Sequence, residues 1–389
     1  MDIVFFSNYL NHHQIPLAEA FNSIDGVNYT FVAVSKIPEF RKKLGYQEYH
    51  KPYLLEIGNS EEYKKEAMRL ALTSDVVIFL GTPLVYEYII PRLKQNKLSF
   101  EYSERWFKRL YKLNLLSPRL WRYLFFYYKY GESSNLYMLS AGAYVPNDVN
   151  FLRAYKNRCF KWAYFTKVST LCIDDIIKKK RNKKIQIMWC SRFITWKHPE
   201  LMIKLAQKLL AENYQFDINM YGNGPLIEEI KREIYSTGIS HCVHIMGSAP
   251  NEEILRCLQM HHMLLFTSDQ NEGWGAIANE AMSNGCTLIG SNKIGAVPYL
   301  VKDGLNGLIF KSCNINSLYI KVKSLIDNQS LRESLALRAY HDMSQTWSPE
   351  CATQRFLKLV EVINNGVVTP FNEGPCSYAE PTNYSDYGS

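Results

Sequence analysis

The sequence predicts an α/β protein built from two Rossmann-like halves. Fully apolar segments of strand length alternate with helical patterns in the N-terminal half, and the same alternation restarts after Lys184. Strands that are apolar on both faces belong to a parallel sheet that helices cover on both sides. A chain of 389 residues is also too long for one ordinary hydrophobic core and suits two domains.

The N-terminal half contains four apolar segments that we interpret as buried strands. Helical patterns lie between them, for example over residues 61–74. The first segment is a strand rather than a signal peptide, because its apolar run is short and Asp2 stands where a signal peptide has basic residues. The four segments are DIVFFS (2–7), YTFVAV (29–34), VVIFLG (76–81) and LYMLSA (136–141).

The C-terminal half repeats the pattern with strands predicted at 185–190, 216–222 and 243–247. A basic stretch, 176–184, separates the halves. We interpret it as a solvated linker, with a nucleic-acid patch or a targeting signal as alternatives. The chain then ends with an amphipathic helix over 349–363 and a segment rich in Gly, Pro, Ser and Asn, which predicts a disordered tail.

The most informative stretch reads strand, loop, helix, strand. Its loop DQNEGWG carries Glu272, and Glu280 lies about two turns inside the following helix. A helix start offers backbone N–H groups and a positive dipole end to a diphosphate, and glycine allows a ligand to approach the backbone closely. Glu280 could accept hydrogen bonds from two ribose hydroxyls. The alternative is an ordinary buried unit with surface glutamates. The three elements are predicted at 264–268, 276–283 and 286–290.

The segment EGWGAIANE (272–280) resembles the E-x7-E signature of the retaining glycosyltransferases of family 4. The next residues, EAMSNG (280–285) and 291–310, look like that family's next strand, glycine turn and closing hairpin. The resemblance implies a GT-B fold, in which two Rossmann-like domains face each other across a cleft. It also implies transfer of a sugar from a UDP- or GDP-linked donor to an acceptor hydroxyl with retention. The chain has no D-x-D pair, so we expect no metal and no cofactor beyond the nucleotide-sugar.

The same resemblance implies a domain division. Residues 1–175 would form an acceptor domain, completed by a crossover helix at 349–364. Residues 176–184 would be the linker, 185–348 the nucleotide-sugar-binding domain and 365–389 the disordered tail.

The family pattern also assigns roles to residues of the C-terminal half. SRFITWKH (191–198) resembles the family's G-R-x5-K loop, with Ser191 in place of glycine, so Arg192 and Lys197 would contact the diphosphate. Glu272 would lie near the donor sugar and Glu280 would bind the ribose. The alternative for the two cations is an exposed position beside a helix. Backbone contacts to the donor would come from Gly275, Ala276 and Ile277, and from Gly222 and Gly224 of YGNGPL (221–226), which resembles the G-x-G-P turn near the base.

The N-terminal half resembles the family less. Its first strand-to-helix loop carries His12 and His13 where many members have glycines. A histidine there could hydrogen-bond the donor or acceptor, or could cap the next helix. Many members also have a histidine after a middle strand, and here Glu104 or Arg105 stands roughly at that position.

Positive charge is concentrated in residues 92–131, which contain ten Lys or Arg, two Glu and many aromatic residues. Basic residues with interfacial aromatics suit an anionic lipid surface. Nucleic acid is a second partner for such charge, but no nucleic-acid motif accompanies it. The third interpretation is a helical pair with a core of aromatics and solvated cations.

Together these features predict a cytoplasmic glycosyltransferase of surface-polysaccharide type, peripheral on the cytoplasmic face of the membrane. Its expected partners are a nucleotide-sugar, a sugar or lipid-linked acceptor and anionic lipid. Nine cysteines without a C-x-x-C pair predict reduced thiols. The alternatives are a nucleotide-sugar epimerase on the same fold and a non-catalytic binding or scaffold subunit.

Overall fold

The structure is a computed structural model that describes residues 1–42, 47–58, 60–80, 82–108, 115–366 and 369–387. The chain divides into two compact units. The N-terminal unit comprises Met1–Thr166 and Trp347–Thr382, and the C-terminal unit comprises Lys167–Thr346 and Asn383–Ser389.

The N-terminal unit contains a seven-stranded sheet whose strands pair in parallel. Its strands are β1 (Asp2–Ser7), β2 (Asn28–Ala33), β3 (Leu54–Glu56), β4 (Val76–Leu80), β5 (Ser99–Ser103), β6 (Leu136–Ala141) and β7 (Cys159–Trp162). Its first helices are α1 (Ile15–Asn22), α2 (Glu39–Lys42), α3 (Glu61–Thr73), α4 (Tyr86–Lys94), α5 (Pro118–Phe126) and α6 (Val145–Phe151).

The C-terminal unit contains a six-stranded parallel sheet. Its strands are β8 (Ile185–Cys190), β9 (Phe216–Tyr221), β10 (Val243–Gly247), β11 (Met263–Phe266), β12 (Thr287–Ser291) and β13 (Leu308–Phe310). Its helices are α7 (Ile173–Lys180), α8 (Glu200–Ala211), α9 (Ile227–Ser236), α10 (Asn251–Met260), α11 (Ile277–Ser283), α12 (Val297–Leu300), α13 (Ile315–Asp327) and α14 (Gln329–Gln345).

Both sheets follow the Rossmann strand order. The N-terminal order is β3-β2-β1-β4-β5-β6-β7 and the C-terminal order is β10-β9-β8-β11-β12-β13. In each sheet the order reverses between the first and the fourth strand. Ligands of such sheets bind beyond the carboxyl ends of the strands, next to this reversal. The relevant positions are therefore the ends of β1 and β4 in one unit, and of β8 and β11 in the other.

The long apolar strands form as the sequence predicts, and the shorter ones were missed. Strands β1, β6, β8 and β10 have the predicted bounds. Three strands were not predicted, namely β3, β5 and β7, because each carries a charged residue and β3 and β7 are also short. The expected closing hairpin after 291 is wrong, since β13 pairs in parallel with β12 through helix α12.

The last helix, α15 (Pro349–Asn364), belongs to the N-terminal unit. Ser348 caps it by accepting a hydrogen bond from the Cys351 N–H, and Pro349 occupies its first turn. Phe356 is fully buried and its ring lies 5.6 Å from Phe21 of α1 and 4.9 Å from Phe100 of β5. The amphipathic pattern at 349–363 is thus a face that covers the N-terminal sheet.

The prediction of a disordered tail is wrong for residues 369–387. Lys161 of β7 donates its N–H to Ser377 at 2.8 Å, and Ala379 donates to Cys159 at 3.0 Å. Cys376 and Ser377 are fully buried. An edge strand offers unpaired backbone groups to any segment that can lie beside it. Composition without periodicity could not reveal this pairing, because it depends on the backbone.

The predicted linker at 176–184 is also wrong in its first half. Helix α7 extends to Lys180 and buries Ile173, Ile176 and Ile177 within the C-terminal unit. Lys180 is buried as well, and its ammonium donates to the carbonyls of His261 at 3.0 Å and Gly285 at 2.5 Å. The prediction failed because a lysine-rich sequence is compatible with an amphipathic helix as well as with a solvated linker.

The basic segment 92–131 is less exposed than its composition predicts. Arg92 is fully buried and donates to the carbonyls of Ala71, Ser74, Asp75 and Leu98 at 2.7 to 3.0 Å. Arg105 is buried in an ion pair with Asp148. Residues 109–114 lie outside the described residues. Of the described cations, Lys94, Arg119, Arg122 and Lys129 are exposed.

Candidate functional site

Three loops of the C-terminal unit meet at the carboxyl ends of neighbouring strands. Residues 191–199 follow β8, 222–226 follow β9 and 267–276 follow β11. These strands are adjacent in the order β9-β8-β11, and the strand order reverses between β8 and β11. The topology therefore brings together segments that are about 75 residues apart in the chain, at the position where such sheets bind ligands.

The first two loops are joined through their backbones. The Ser191 N–H donates to Tyr221 at 3.0 Å, Phe193 N–H to Asn223 at 3.0 Å and Leu226 N–H to Phe193 at 3.1 Å. Gly222 has φ +131°, and a Cβ atom there would lie 1.8 Å from the Ser191 carbonyl oxygen. Glycine at 222 is therefore required by the approach of the loop after β8.

Lys197 and Glu272 form a largely buried ion pair. Lys197 ends a turn of 3-10 helix, Thr195–Lys197, and its ammonium bonds the Glu272 carboxylate. The side chains are 10% and 13% exposed. Ser268 Oγ also donates to Glu272 Oε2 at 3.0 Å. Because a buried charge is costly unless it is paired and hydrogen-bonded, this pair holds the loop after β8 to the loop after β11.

The indole of Trp196 brings two cations together. Lys197 Nζ lies 4.4 Å from the ring centroid and Arg192 Cζ lies 5.8 Å from it. Both distances lie within the range of a cation–π contact. Lys197 is buried, whereas Arg192 is exposed. The site thus has one fixed cation and one exposed cation on the same aromatic platform.

His198 provides a second connection between the same loops. It has a left-handed backbone with φ 52°, and its Nδ1 lies 2.9 Å from Glu200 Oε1. Its Nε2 lies 3.6 Å from Asp269 Oδ2. Hydrogen bonds to Asp269 and Glu200 raise the pKa of His198 to about 10. The imidazole is therefore protonated at neutral pH and neutralises the carboxylate of the second loop.

Glu280 lies inside helix α11, one turn from its start, and is buried. Asn251, the first residue of α10, donates its amide Nδ2 to Glu280 Oε1 at 2.8 Å. Burial raises the pKa of Glu280 to about 7, and the hydrogen bond from Asn251 opposes this. A hydroxyl-bearing ligand that donates to this carboxylate would favour its ionised form.

The start of α11 is shaped by Gly275. Its φ is +89°, and a Cβ atom there would lie 2.2 Å from the ring of Phe266. Trp274 before it is fully buried and donates its indole N–H to Asn279 at 2.8 Å. Ala276 and Ile277 complete the turn in which a helix has N–H groups without intrahelical acceptors. The local sequence GWGA therefore turns the chain into the helix at this edge.

The structure brings most of the predicted C-terminal residues into one region. Lys197 contacts Glu272, and Arg192 shares the Trp196 ring. Gly275, Ala276 and Ile277 lead from Glu272 into the helix that carries Glu280. Gly222 and Gly224 support the backbone of 191–193, since a Cβ atom on Gly224 would lie 2.5 Å from the Phe193 carbonyl oxygen.

The two N-terminal histidines lie in the loop between β1 and α1. Their ring centroids are 3.8 Å apart, and His13 lies 6.3 Å from the Tyr164 ring. Burial and the neighbouring His12 lower the pKa of His13 to about 3, and burial lowers the pKa of His12. The helix cap is Gln14, so neither histidine is the N-cap residue.

The two candidates after β5 have local partners. Glu104 accepts hydrogen bonds from Tyr164 Oη at 2.8 Å and from the Lys108 ammonium. The Arg105 guanidinium lies 3.3 Å from Asp148, whose other oxygen accepts the N–H groups of Trp106 and Phe107. Arg105 therefore stabilises the chain segment after β5.

Sequence reasoning missed several residues of this region. Trp196 holds the two cations of its own loop, whereas His198, Asp269 and Asn251 join segments that are distant in the sequence. Trp196 and His198 flank Lys197 directly, so their position beside a predicted site residue was the available signal. Nothing in the sequence shows which residue each one contacts.

The C-terminal unit is similar in sequence to known proteins. Residues 173–342 match the family described as Glycosyl transferases group 1. Over 170 residues the chain is 25% identical to the poly(glycerol-phosphate) alpha-glucosyltransferase of Bacillus subtilis. It is 24% identical, also over 170 residues, to the poly(ribitol-phosphate) alpha-N-acetylglucosaminyltransferase of Staphylococcus aureus. Each match covers 43% of this chain, but only 24% and 34% of the respective relative.

Solved structures establish the fold. HepE of Anabaena, crystallised with UDP, superimposes with a TM-score of 0.69 at 14% identity, covering 94% of this chain and 100% of that one. Together with its two Rossmann-like units, this similarity shows that the chain has the GT-B fold.

We expect Gly222→Ala to destabilise the C-terminal unit by about 2 kcal/mol or more, because the new methyl group meets a backbone oxygen that cannot rotate away. Gly238→Ala is the matched control, since Gly238 also has a positive φ, +69°, but nothing lies within 4 Å of its Cβ position. Urea unfolding measures both. Equal losses in the two variants would contradict the close packing of the loops.

Proposed function

We propose that this protein transfers a sugar from a nucleotide-sugar to an acceptor hydroxyl, because residues 173–342 match the Glycosyl transferases group 1 family and the chain has a GT-B fold. The product would be a cell-surface polysaccharide or glycolipid. The observation that carries the proposal is the joining of Lys197 with Glu272 and of Arg192 with Trp196 at the carboxyl ends of β8 and β11.

The nucleotide would bind along the start of α11. Glu280 would accept hydrogen bonds from the two ribose hydroxyls, with Asn251 orienting its carboxylate from α10. The N–H groups of Gly275, Ala276 and Ile277 would face the diphosphate. The loop at Gly222 and Gly224 would lie near the base.

Departure of the nucleoside diphosphate develops negative charge on the leaving oxygen. Fixed cations that already point at that position stabilise the charge without reorganising. Lys197 is held in place by Glu272 and by the ring of Trp196. The diphosphate would compete with Glu272 for the ammonium and leave the glutamate available to hydroxyls of the donor sugar. Arg192, which is exposed, would close on the diphosphate after it binds.

The buried histidine of the N-terminal unit would act in its neutral form. A pKa of about 3 keeps His13 uncharged at neutral pH. It can therefore hydrogen-bond a hydroxyl without adding positive charge. We assign His13, rather than the less buried His12, as the histidine that hydrogen-bonds a sugar hydroxyl.

The choice of donor and stereochemistry rests on the relatives. HepE was crystallised with UDP, and two sequence relatives are an alpha-glucosyltransferase and an alpha-N-acetylglucosaminyltransferase. These relatives support UDP as the nucleotide of the donor, retention at the anomeric carbon and cell-surface polymers as the acceptor class. We also propose that transfer needs no metal ion. The ammonium of Lys197 and the guanidinium of Arg192 would supply the positive charge that a metal ion provides in other enzymes.

Arg192→Ala and Lys197→Ala should each lower kcat by about 10²-fold while changing the apparent KM of the donor less, because the leaving charge grows toward the transition state. Lys204→Ala, an exposed cation on α8, is the matched control. Conversion of a UDP-sugar panel, followed by mass spectrometry with and without EDTA, measures the effect. Loss of transfer in EDTA that a divalent ion restores would overturn the metal-free assignment.

The same assay separates this proposal from the other two functions. A transferase releases UDP and forms a glycosylated acceptor. An epimerase would return a UDP-sugar of altered configuration without any acceptor. Binding of UDP without conversion of any UDP-sugar would indicate the scaffold subunit.

The affinity for UDP should rise about tenfold from pH 6 to pH 8 because of Glu280, since a group with a pKa of about 7 ionises across that range. In the unliganded protein the sign is opposite. The folded pKa exceeds that of an unfolded glutamate, so the contribution of Glu280 to stability is lost as pH rises from about 4.5 to about 7.

Glu280→Gln keeps the side-chain shape and the bond from Asn251, and it removes the titration. Calorimetry at each pH gives the ratio of wild-type to variant affinity. The titration of the UDP phosphates affects both affinities equally and therefore does not change this ratio. A ratio that does not change with pH would remove Glu280 from the ribose site.

We propose that the protein works on the cytoplasmic face of a membrane, bound through α5 and its flanks. Trp121, Phe125 and Tyr128 are spaced by four and three residues, so they share one face, and they are 59%, 60% and 44% exposed. Arg122 and Lys129 lie beside them and are exposed. Such a surface suits anionic lipid. No helix of the described residues is long and apolar enough to cross a membrane.

Trp121→Ala and Phe125→Ala should weaken binding to anionic vesicles without lowering the melting temperature, because both rings are exposed. Trp106→Ala is the contrasting control, since its ring packs 4.1 Å from Tyr123 in the core and its loss should lower the melting temperature. Vesicle co-sedimentation beside a melting curve measures both. A wild-type protein that ignores anionic vesicles at low salt would end the membrane proposal.

A further inference from the structure

The N-terminal unit contains a cavity of about 560 Å³ that the donor site does not use. Its volume falls within the roughly 300–1,000 Å³ of small-molecule sites. It opens at the carboxyl ends of three strands, with Asn8 after β1, Leu80 at the end of β4 and Ser103 at the end of β5. The strand order of this sheet reverses between β1 and β4. The cavity therefore occupies the ligand position of a Rossmann-like sheet.

A buried carboxylate lines this cavity. Glu101 of β5 is fully buried, and its Oε2 accepts hydrogen bonds from Tyr123 at 2.7 Å and from the Tyr155 hydroxyl. Its other oxygen, Oε1, is buried and has no hydrogen-bond partner among the residues that the structure describes. Burial raises the pKa of Glu101 to about 7. A buried acceptor without a partner costs about 1–3 kcal/mol, and a hydroxyl group of a ligand would satisfy it.

Two kinds of cation line the same cavity, namely cations that form ion pairs with carboxylates and cations that do not. Lys108 and Arg105 are engaged with Glu104 and Asp148 respectively. Arg119 and Arg122 of α5 also line the cavity, and both are exposed. Neither arginine forms an ion pair with a carboxylate of the described residues. Two guanidinium groups on one helix suit a phosphate, which accepts several of their N–H groups.

Aromatic rings complete the lining. Trp106 packs 4.1 Å from Tyr123, and Tyr86 stacks on Phe126 at 4.0 Å with an angle of 2° between the rings. Both rings are thereby fixed in orientation before any ligand arrives. Fixed ring faces offer apolar surface to the C–H face of a sugar ring, while hydroxyls project to polar groups at its edge.

We infer that this cavity binds a phosphorylated saccharide, with the phosphate on Arg119 and Arg122 and a sugar hydroxyl on Glu101. The inference deepens the proposed transferase function and rests on it, since the bound saccharide is then the acceptor. A phosphate-linked sugar can come from solution or from a lipid carrier. Helix α5 exposes Trp121 and Phe125 beside Arg122, so the lipid-borne form would reach the cavity from the membrane-facing side of the same helix.

The test measures binding with UDP added first, so that the donor site is occupied. The probes are glucose 1-phosphate, neutral methyl glucoside and glucose 1-phosphate carried on a prenyl chain in neutral micelles. We expect wild-type protein to bind the phosphorylated probes at least tenfold more tightly than methyl glucoside. Arg119→Gln with Arg122→Gln should abolish that preference, and Lys129→Gln, an exposed cation of the next turn, should keep it. Binding of the prenyl probe alone assigns the lipid source, and equal binding of both phosphorylated probes assigns the free one.

Glu101→Gln is the second variant, because an amide oxygen can still accept the hydroxyls of Tyr123 and Tyr155 and so preserve the fold. We expect it to weaken the phosphorylated probes about tenfold at an unchanged melting temperature. If UDP binds and no phosphorylated probe binds, or if the arginine pair and Glu101 can both be replaced without effect, the inference is overturned while the proposed function stands. If the probes bind and UDP does not, the proposed function fails instead.

Discussion

The buried ion pair between Lys197 and Glu272 is the interaction on which the arrangement of the C-terminal site depends. It joins the loop after β8 to the loop after β11, and neither charge would be stable there alone. Thr267 Oγ1 donates to the Lys197 carbonyl at 2.6 Å, and the Asp269 N–H donates to Trp196 at 3.1 Å, which fixes the backbone of both loops. The cation is thus aimed before a ligand binds, as electrostatic catalysis requires.

Both units place their polar groups by the same topological device. In each sheet the connections leave the first and fourth strands in opposite directions, so the loops at their carboxyl ends leave room for a ligand. The C-terminal unit fills that place with a cationic platform and with Glu280 one turn inside α11. The N-terminal unit surrounds it with aromatic rings, Glu101 and two arginines. One architecture therefore supports two different binding chemistries in one chain.

Burial, rather than charge partners, sets the protonation of several polar groups. Desolvation is the largest cause of the raised pKa of Glu280 and Glu101 and of the lowered pKa of His13. Burial of such groups destabilises the unliganded protein. A ligand that supplies hydrogen bonds to them offsets this destabilisation. His198 is the opposite case, because two carboxylates keep it charged. These differences separate the groups that we propose to bind hydroxyls from the group that holds the loops.

The sequence by itself determined the two-unit α/β architecture, the long strands and most of the residues that meet at the carboxyl ends of β8, β9 and β11. Strands buried on both faces are continuous apolar runs, as at 2–7 and 185–190, and the spacing of Glu272 and Glu280 is a local property of one loop and one helix. Strands that carry a charge, such as β5 with Glu101, were not predicted because the charged residue interrupts the apolar run.

Only the tertiary structure decided which charges are exposed and which groups meet. The sequence predicts Arg92 and Arg105 within a basic surface segment. In the structure Arg92 is buried against backbone carbonyls and Arg105 is buried against the carboxylate of Asp148. Residues 376–379 of the tail pair with the edge strand β7. Lys197 and Glu272 are 75 residues apart, and only the parallel order of β8 and β11 brings them into contact. Burial and pairing depend on segments that are distant in the chain, so no local pattern of residues can specify them.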